Sequence, residues 1–532
     1  MQQQLLKIRV GNIPKYAQPA GIRKFLASTL ALPETAVHTR KLRPWNYCFV
    51  AVTPGPDGPT MPQLLAKLNG LLFKQQKLQA EEQLHDAVPF AHNIVSERTL
   101  KDQVTPLWSL PYADQLLFKK AQAEAILKKE FAGSEFVLED VVASPVTEGY
   151  RNKCEFTFGL GHADRQPTLG FLLGAYRDGI VTVEHPADVP HVSQLFKDLT
   201  LRIQEHIRTP GNGTVYDRVS HSGLYRLLLV RQVGDALMVG LQVSPPSKAG
   251  LTEPQHAALL DNFANVLQQF PAVSSFFVQT SEATHHGTDP KAKWRNVFGP
   301  ETLTTTLGSL QFRVSLESFF QVNPSATPLL YSKIAEYAAA KDKDGAFALD
   351  ICCGTGTIAL WIASQVKKVF GVELVPEAVK DAFHNRDMNG ITNADFVAGR
   401  AEQVLPSLLT EHAAEIAHRE LVAILDPPRA GIHPSVLKAL SKLDRLNSLV
   451  FVSCDLGAVA KANSNFKMLR EKGWMLERAC VVDLFPHTNH YETIMKFVRS
   501  INKQPVANVI ATVIADASDN ADNAVEQTEV NQ

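Results

Sequence analysis

Residues 348–360 read ALDICCGTGTIAL, and the fold turns on how that stretch is read. Ala348–Ile351 is an apolar run that suits a buried strand, with Asp350 inside it. Gly354 and Gly356 follow in a turn, and Thr357–Leu360 opens a helix. Two glycines let the backbone approach a ligand closely at a helix N-terminus. A lone G-x-G is weak, and Ala359 completes G-x-G-x-x-A, so a dinucleotide fingerprint stays open on this motif. The next apolar run, KVFGVEL (368–374), places Glu373 about 17 residues after Gly356. An acid there accepts hydrogen bonds from a ribose diol, which NAD and S-adenosylmethionine share.

The pattern continues on both sides. Across 331–502, short apolar runs (AFALDICC, KVFGVEL, ADFVAG, LVAILDPP, LVFVSCD, YETIMKFV) alternate with helical stretches, which predicts a doubly wound α/β domain. Residues 109–330 open with a helical stretch, YADQLLFKKAQAEAILKKEF. They then turn strand-rich, with runs such as CEFTFGL, YRLLLVRQ, ALMVGLQV, VSSFFVQT and LQFRVSLESFFQV. Charged residues alternate with apolar ones in several of these, which predicts sheets wet on one face. Residues 1–82 run strand, helix, strand, helix and returning strand, a small βαββαβ pattern. Residues 83–108 read as a linker. The stretch 503–532, rich in Ala, Asp, Asn and Gln, reads as a disordered tail.

Composition narrows the class. A length of 532 residues suggests about three domains. The net charge of −1 hides an asymmetry: residues 1–44 hold eight Lys/Arg against one Glu, and residues 501–532 hold one Lys against five acids. A basic start suits a polyanion partner, and a plain solvated surface explains it almost as well. Six cysteines without a CxxC pair argue against a disulfide scaffold, a thiolate metal site or a metal cluster. MQQQLLKIRV has no long apolar stretch of the secretory kind, and no 18-residue apolar run spans a membrane. The expectation is an intracellular protein, cytoplasmic or nuclear or both, with no membrane partner.

DICCGTGTIAL, GVELVPEAVKDAFHNRDMNG, FVAGRAEQ and ILDPPRAG together resemble the class I methyltransferases that use S-adenosyl-L-methionine. Over most of residues 109–500 the likeness narrows to the RNA uracil-5-methyltransferases, and within them to eukaryotic tRNA enzymes that carry an N-terminal RNA-recognition motif. The resemblance implies a class I methyltransferase domain at 331–502, preceded by a strand-rich α+β RNA-binding region at 109–330 and an RRM-like domain at 1–82. It implies S-adenosyl-L-methionine as cofactor, tRNA as substrate and the T-loop uridine at position 54 as target. Its cofactor set corresponds to Gln321 (from FFQVN), Asp350, Cys352, Gly354, Gly356, Thr357, Glu373 and Asp426, with Cys353 as packing and Phe396 and Glu402 flanking the adenine. In the first unit, IRVGNI (8–13) and NYCFVAV (46–52) fall at the two short motifs of RNA-recognition domains. Tyr47 and Phe49 stand at the aromatic positions, so bases would stack there. Arg9 stands where an aromatic is usual. Arg151 and Lys153 are expected at RNA phosphate and Arg429 as a further RNA contact, with Tyr176 and Arg177 near the same cleft. A protein partner for the RRM-like unit stays open.

The chemistry asks for a nucleophile, because C5 of uracil reacts poorly with a sulfonium methyl. A thiolate adding to C6 pushes electron density onto C5. LVFVSCDL (449–456) sets Cys454 where a strand runs out, with helix amides and Arg429 expected to lower its pKa. The family shows Asn-Pro after this cysteine; here Asp455-Leu456 follow, which either adds a charge beside the thiolate or caps the next helix. The family's F-P-x-T-x-H-x-E falls on Phe485, Pro486, Thr488, His490 and Glu492, making Glu492 the base that removes the C5 proton. Burial is expected to raise that carboxyl into a useful range. His487 is the weaker rival. DPPR (426–429) also resembles the motif of amino methyltransferases, but an arginine stands where they carry an aromatic. Two other readings remain: uridine in another RNA such as ribosomal RNA, or an RNA-remodelling protein with weak or no catalysis.

Overall fold

A computed structural model describes residues 6–14, 17, 19–40, 47–53, 58–82, 99–174, 181–218, 220–284, 287–339, 345–416, 419–429, 431–443, 445–461 and 465–499. Most of the expected linker (83–98) and all of the expected tail (503–532) lie outside them. The chain divides into two compact units, one built chiefly on residues 1–97 and the other on the remainder.

In the first unit the elements are β1 (Leu6–Gly11), α1 (Pro19–Leu30), β2 (Val37–Arg40), β3 (Cys48–Val52), α2 (Met61–Leu68) and β4 (Gln79–Glu82). The strands form one antiparallel sheet in the order β2–β3–β1–β4. Alternation decides its faces: Ile8, Val10, Cys48, Val50 and Val52 are buried against Leu26, Leu64 and Leu68 of the helices.

The second unit opens with a short helix, Leu100–Val104, followed by α3 (Tyr112–Glu130) and β5 (Val137–Leu138). A central sheet follows, in which Lys153–Leu160, Tyr225–Val233, Ala236–Val243, Val273–Thr280 and Arg295–Phe298 are successive neighbours. One of its faces is covered by the helices Gln194–Arg208 and Glu253–Gln268, where Phe196 meets Phe156 and Phe263 meets Phe158 and Tyr225. On the other, Leu316 and Trp294 pack on Leu227, Leu229, Met238 and Phe277. The expected wet face is therefore absent from the middle of this sheet. Residues Tyr225–Arg231 are all buried, and their charges are paired inside: Arg226 Nε donates to Gln242 Oε1 (3.3 Å), and Arg231 donates to the carbonyls of Leu316 and Ser318.

The run LQFRVSLESFFQV is strand only as far as Ser315. Its remainder turns, held by Arg231 and by the Ser315 amide on Ser318 Oγ (3.1 Å).

The catalytic layer contains α4 (Thr327–Ala338), β6 (Phe347–Ile351), α5 (Thr357–Ile362), β7 (Lys368–Glu373), α6 (Pro376–Met388), β8 (Ala394–Ala398), β9 (Leu421–Leu425), β10 (Leu446–Ser453), α7 (Leu456–Lys461), β11 (Met475–Val482) and β12 (Glu492–Val498). Its sheet runs β8–β7–β6–β9–β10–β12–β11–β5. Pairing is parallel from β8 to β10, and β12 is antiparallel to both its neighbours. Helices bury both faces, α4, α5 and α6 on one and α3 and α7 on the other. This is the doubly wound architecture expected. The strand order reverses between β6 and β9, the place where open α/β sheets hold ligands.

The first part of the segment expected as a central region at 109–330 packs with the catalytic layer. Ala123, Leu127 and Phe131 of α3 belong to the catalytic core, and β5 pairs with β11 at the sheet edge. The apolar stripe of α3 buries itself on the nearest large sheet regardless of its distance in sequence.

Candidate active site

Four parallel strands end at one edge of the sheet, and the residues after them face one cleft. β6 delivers Cys352–Thr355 and Thr357, β7 ends in Glu373, β9 delivers Asp426–Arg429 and β10 delivers Cys454. These line a cavity of about 520 Å³ with Gln321, Phe319, Tyr331, Phe485, His490, Glu492 and Arg151.

The cofactor half is built on the turn after β6. Cys352 (φ 65°), Gly354 (φ 54°) and Gly356 (φ 81°) all take left-handed backbone. The glycines serve different needs. A Cβ on Gly356 would stand 2.8 Å from the Phe396 ring, whereas one on Gly354 would meet nothing within 4 Å and would project into open space. Glu373 ties the turn down, with Oε2 accepting from the Gly354 amide (3.1 Å) and Oε1 from the Val375 amide (2.9 Å). Asp350 and Gly356 do not line the cleft. Asp350 is fully buried behind the turn: Oδ2 accepts from the Ala359 amide (2.9 Å), and Oδ1 has no partner. Thr357 Oγ1 accepts from Tyr331 OH (2.9 Å), a residue the sequence reading did not single out. Phe396 is a core residue under Gly356 and Gly371, edge-on to Phe383 at 5.5 Å, and is not among the cleft residues.

The acids of this half decide what fits. Burial, and then Asp426, push Asp350 up to about 8; burial pushes Asp426 up to about 6. Burial, then Glu373, Asp350 and Asp426, push the Cys352 thiol up to about 12. A cation relieves that mutual repulsion, and a dinucleotide's pyrophosphate would aggravate it. The carboxylates that line the cleft, Glu373, Asp426 and Glu492, therefore suit a cationic sulfonium.

In the catalytic half, Cys454 is partly buried. Its thiol is pushed up to about 11, by burial first and then by Glu492, with Arg429 pulling it down. The expected lowering by helix amides does not occur. The first turn of α7 is capped by Asp455, whose Oδ1 accepts from the Ala458 amide at 2.8 Å. Glu492 is 3% exposed, and its Oε2 has no hydrogen-bond partner among the described residues. Burial and then Asp426 raise its carboxyl well above the usual range, against Arg429. His487 is turned away from the cleft, with Nδ1 at 3.1 Å from Gln115 Nε2.

Of the expected RNA contacts, Arg151 and Arg429 line the cleft, with Phe319, 71% exposed, at its wall. Lys153 does not line it; Nζ donates to the Glu317 carbonyl (3.0 Å), bracing the turn that leads to Gln321. Tyr47 and Phe49 belong to the first unit, edge-to-face at 5.5 Å. Arg9 lies over the Tyr47 ring at 4.4 Å and pairs with Glu81 at 2.7 Å, so the unexpected arginine is part of that aromatic face. Tyr176 and Arg177 lie outside the described residues. No group of three or more metal-ligating side chains occurs among the described residues, and no described helix is long and apolar enough to cross a membrane.

Sheet order, switch-point cleft and acidic cofactor turn define a class I methyltransferase. The family profile of tRNA (Uracil-5-)-methyltransferase matches residues 291–499. The human tRNA (uracil-5-)-methyltransferase homolog A is 33% identical across 93% of this chain and 83% of its own length; the human homolog B is 31% identical across 76% and 84%. In fold, the chain matches the crystal structure of the Pyrococcus abyssi tRNA (uracil-54, C5)-methyltransferase in complex with S-adenosyl-L-homocysteine, with a TM-score of 0.56 at 22% identity over 80% of this chain and 91% of that one. The chain belongs to the tRNA (uracil-5-)-methyltransferase family. It is an enzyme that methylates C5 of uridine in tRNA with S-adenosyl-L-methionine as cofactor.

Proposed function

We propose that the target is the T-loop uridine at position 54, and that methylation proceeds through a covalent bond between Cys454 and C6. The observation that carries this reading is the meeting of Cys454 and Glu492 in the cleft that also holds the cofactor turn. Gln321, Cys352, Gly354, Thr357, Glu373 and Asp426 face the cofactor, with Asp350 and Gly356 shaping the turn from behind. Cys454, relieved of its proton to solvent, adds to C6, and the electron pair of C5=C6 moves into an enolate over C5 and O4. Arg429 is the nearby cation that favours the thiolate. S-adenosyl-L-methionine supplies a methyl group on a sulfonium, which C5 takes up with release of the thioether. Glu492, whose raised basicity comes from burial, then removes the C5 proton; C5=C6 re-forms and the thiolate leaves C6.

The uridine must leave its stack to reach Cys454, at a cost of a few kcal/mol. Arg151 at the cleft and the Arg9–Tyr47–Phe49 face of the first unit are the RNA-holding surfaces of this reading. The first unit's strand order supports an RNA-recognition-type module. An intracellular setting follows from the tRNA substrate.

Two variants test the mechanism. Cys454→Ala abolishes methyl transfer and forms no adduct. Glu492→Gln stalls after methylation, leaving an enzyme–RNA bond that survives denaturing electrophoresis and carries the donor's methyl label. A Cys454→Ala enzyme that still methylates tRNA removes the nucleophile from this account. A wild type without turnover on any RNA favours RNA remodelling instead.

A further inference from the structure

The mechanism leaves α3 unused, yet α3 buries a lysine. Lys119 and Asp483 have no exposed side-chain surface and meet at 2.7 Å. Lys119 Nζ also donates to the Phe485 carbonyl (3.0 Å), while Asp483 Oδ1 accepts from the Phe485 amide (3.0 Å). One turn earlier on the same face, buried Gln115 accepts from the His487 amide (2.8 Å) and reaches His487 Nδ1 (3.1 Å). The Leu107 amide donates to the His487 carbonyl (2.9 Å), and Tyr150 OH to the Pro486 carbonyl (3.0 Å).

These bonds all close on the loop between β11 and β12. That loop supplies Phe485 and His490 to the cleft and leads directly into Glu492. Cys454 reaches the cleft separately, from the end of β10. A buried ion pair stabilises a fold poorly compared with apolar packing. Its use here is positional, since it holds irregular backbone that no strand partner holds.

We propose that Lys119 and Gln115 are positioning residues for proton abstraction, acting through the Asp483–His490 loop to set the Glu492 carboxylate against C5. The proposal rests on Glu492 as the base. Loosening the loop then slows elimination more than thiolate addition or methyl uptake, so methylated adduct builds up relative to free product.

The test uses full-length enzyme, tRNA and methyl-labelled donor in single turnover. Gln115→Ala is compared with the charge-neutral pair Lys119→Met/Asp483→Asn, which strands no buried ion. The expected result is a fall in product release of about 10²-fold with a clear rise in the adduct-to-product ratio, the size of effect a displaced catalytic group produces. A merely structural role lowers adduct and product together through loss of folded enzyme; an unchanged ratio in both variants overturns the proposal. Glu492→Gln is run beside them. If it traps adduct while the α3 variants leave the ratio unchanged, only the positioning role fails. If it traps none although wild type turns over, the base assignment fails and the positioning role falls with it.

Discussion

The antiparallel pairing of β10 with β12 ends at Ser453 and Thr493, and the next residues beyond it, Cys454 and Glu492, line the same cleft. The end of this pairing thus brings nucleophile and base to one cleft, and Glu492, after burial, raises the pKa of Cys454. The consequence is measurable on the thiol alone. With its pKa near 11, Cys454 is mostly protonated at neutral pH, and its alkylation by iodoacetamide should rise with pH through pH 8–10. Glu492→Gln removes a raising charge, so the Cys454 peptide should alkylate faster at a given pH. Arg429→Leu removes the lowering charge and should slow it. Peptide mapping separates Cys454 from the other five cysteines. Identical profiles in all three proteins would uncouple the groups.

The cofactor turn predicts different outcomes for its two glycines. Gly356→Ala forces a Cβ against Phe396 and requires left-handed backbone, which costs about 1–2 kcal/mol before any clash. It should lower Tm as well as cofactor affinity, and Phe396→Leu in the same chain should recover part of the stability. Gly354→Ala meets no protein atom, so it carries the backbone cost without the clash and the loss of affinity should dominate. Glu373→Ala should weaken S-adenosylhomocysteine binding about 10–100-fold, or roughly 1.5–3 kcal/mol for a charged acceptor. Calorimetry and thermal unfolding measure both quantities.

Much of this half was legible because each residue lies at a strand end marked by its own local motif. Cys352–Thr357, Glu373, Asp426 and Cys454 each follow an apolar run that reads as a parallel strand. What stayed hidden depends on pairing between distant segments. β11 (MLERACVV) was not read as a strand, because Glu477 and Arg478 interrupt its apolar pattern. Glu477 pairs with Lys496, and Arg478 with Glu139 and Glu336, all outside this strand. Tyr331 was missed because its partner, Thr357 Oγ1, comes from another helix. The rise in the Cys454 pKa was missed for a like reason, since it comes first from burial and then from Glu492, and both arise from segments distant in sequence.

Asp455 replaces the family's asparagine, and the structure gives it a local task. Its carboxylate caps α7 through the Ala458 amide. Asp455→Ala should cost about 1 kcal/mol of stability, the usual worth of such a cap. Asp455→Asn keeps an acceptor at the cap and should leave Tm nearly unchanged. Burial, Glu492, Arg429 and Asp426 set the Cys454 thiol, so methyl transfer by Asp455→Asn should stay close to wild type. A large gain in rate would show that the aspartate does slow this enzyme.

The two compact units allow RNA holding to be separated from chemistry. The cofactor turn, Cys454 and Glu492 all lie in the second unit, whereas the Arg9–Tyr47–Phe49 face lies in the first. Removing residues 1–97 should weaken tRNA binding and leave S-adenosylhomocysteine affinity unchanged. Base stacking on aromatics is worth about 1–3 kcal/mol per base, so Phe49→Ala in the full chain should weaken tRNA binding about 5–100-fold without shifting cofactor affinity. Filter binding with tRNA and calorimetry with S-adenosylhomocysteine measure the two constants. Raised salt should weaken the RNA term through Arg9 and Arg151, while the stacking contribution persists. If tRNA affinity survives both the deletion and Phe49→Ala, the first unit serves a protein partner and the second unit alone holds the substrate.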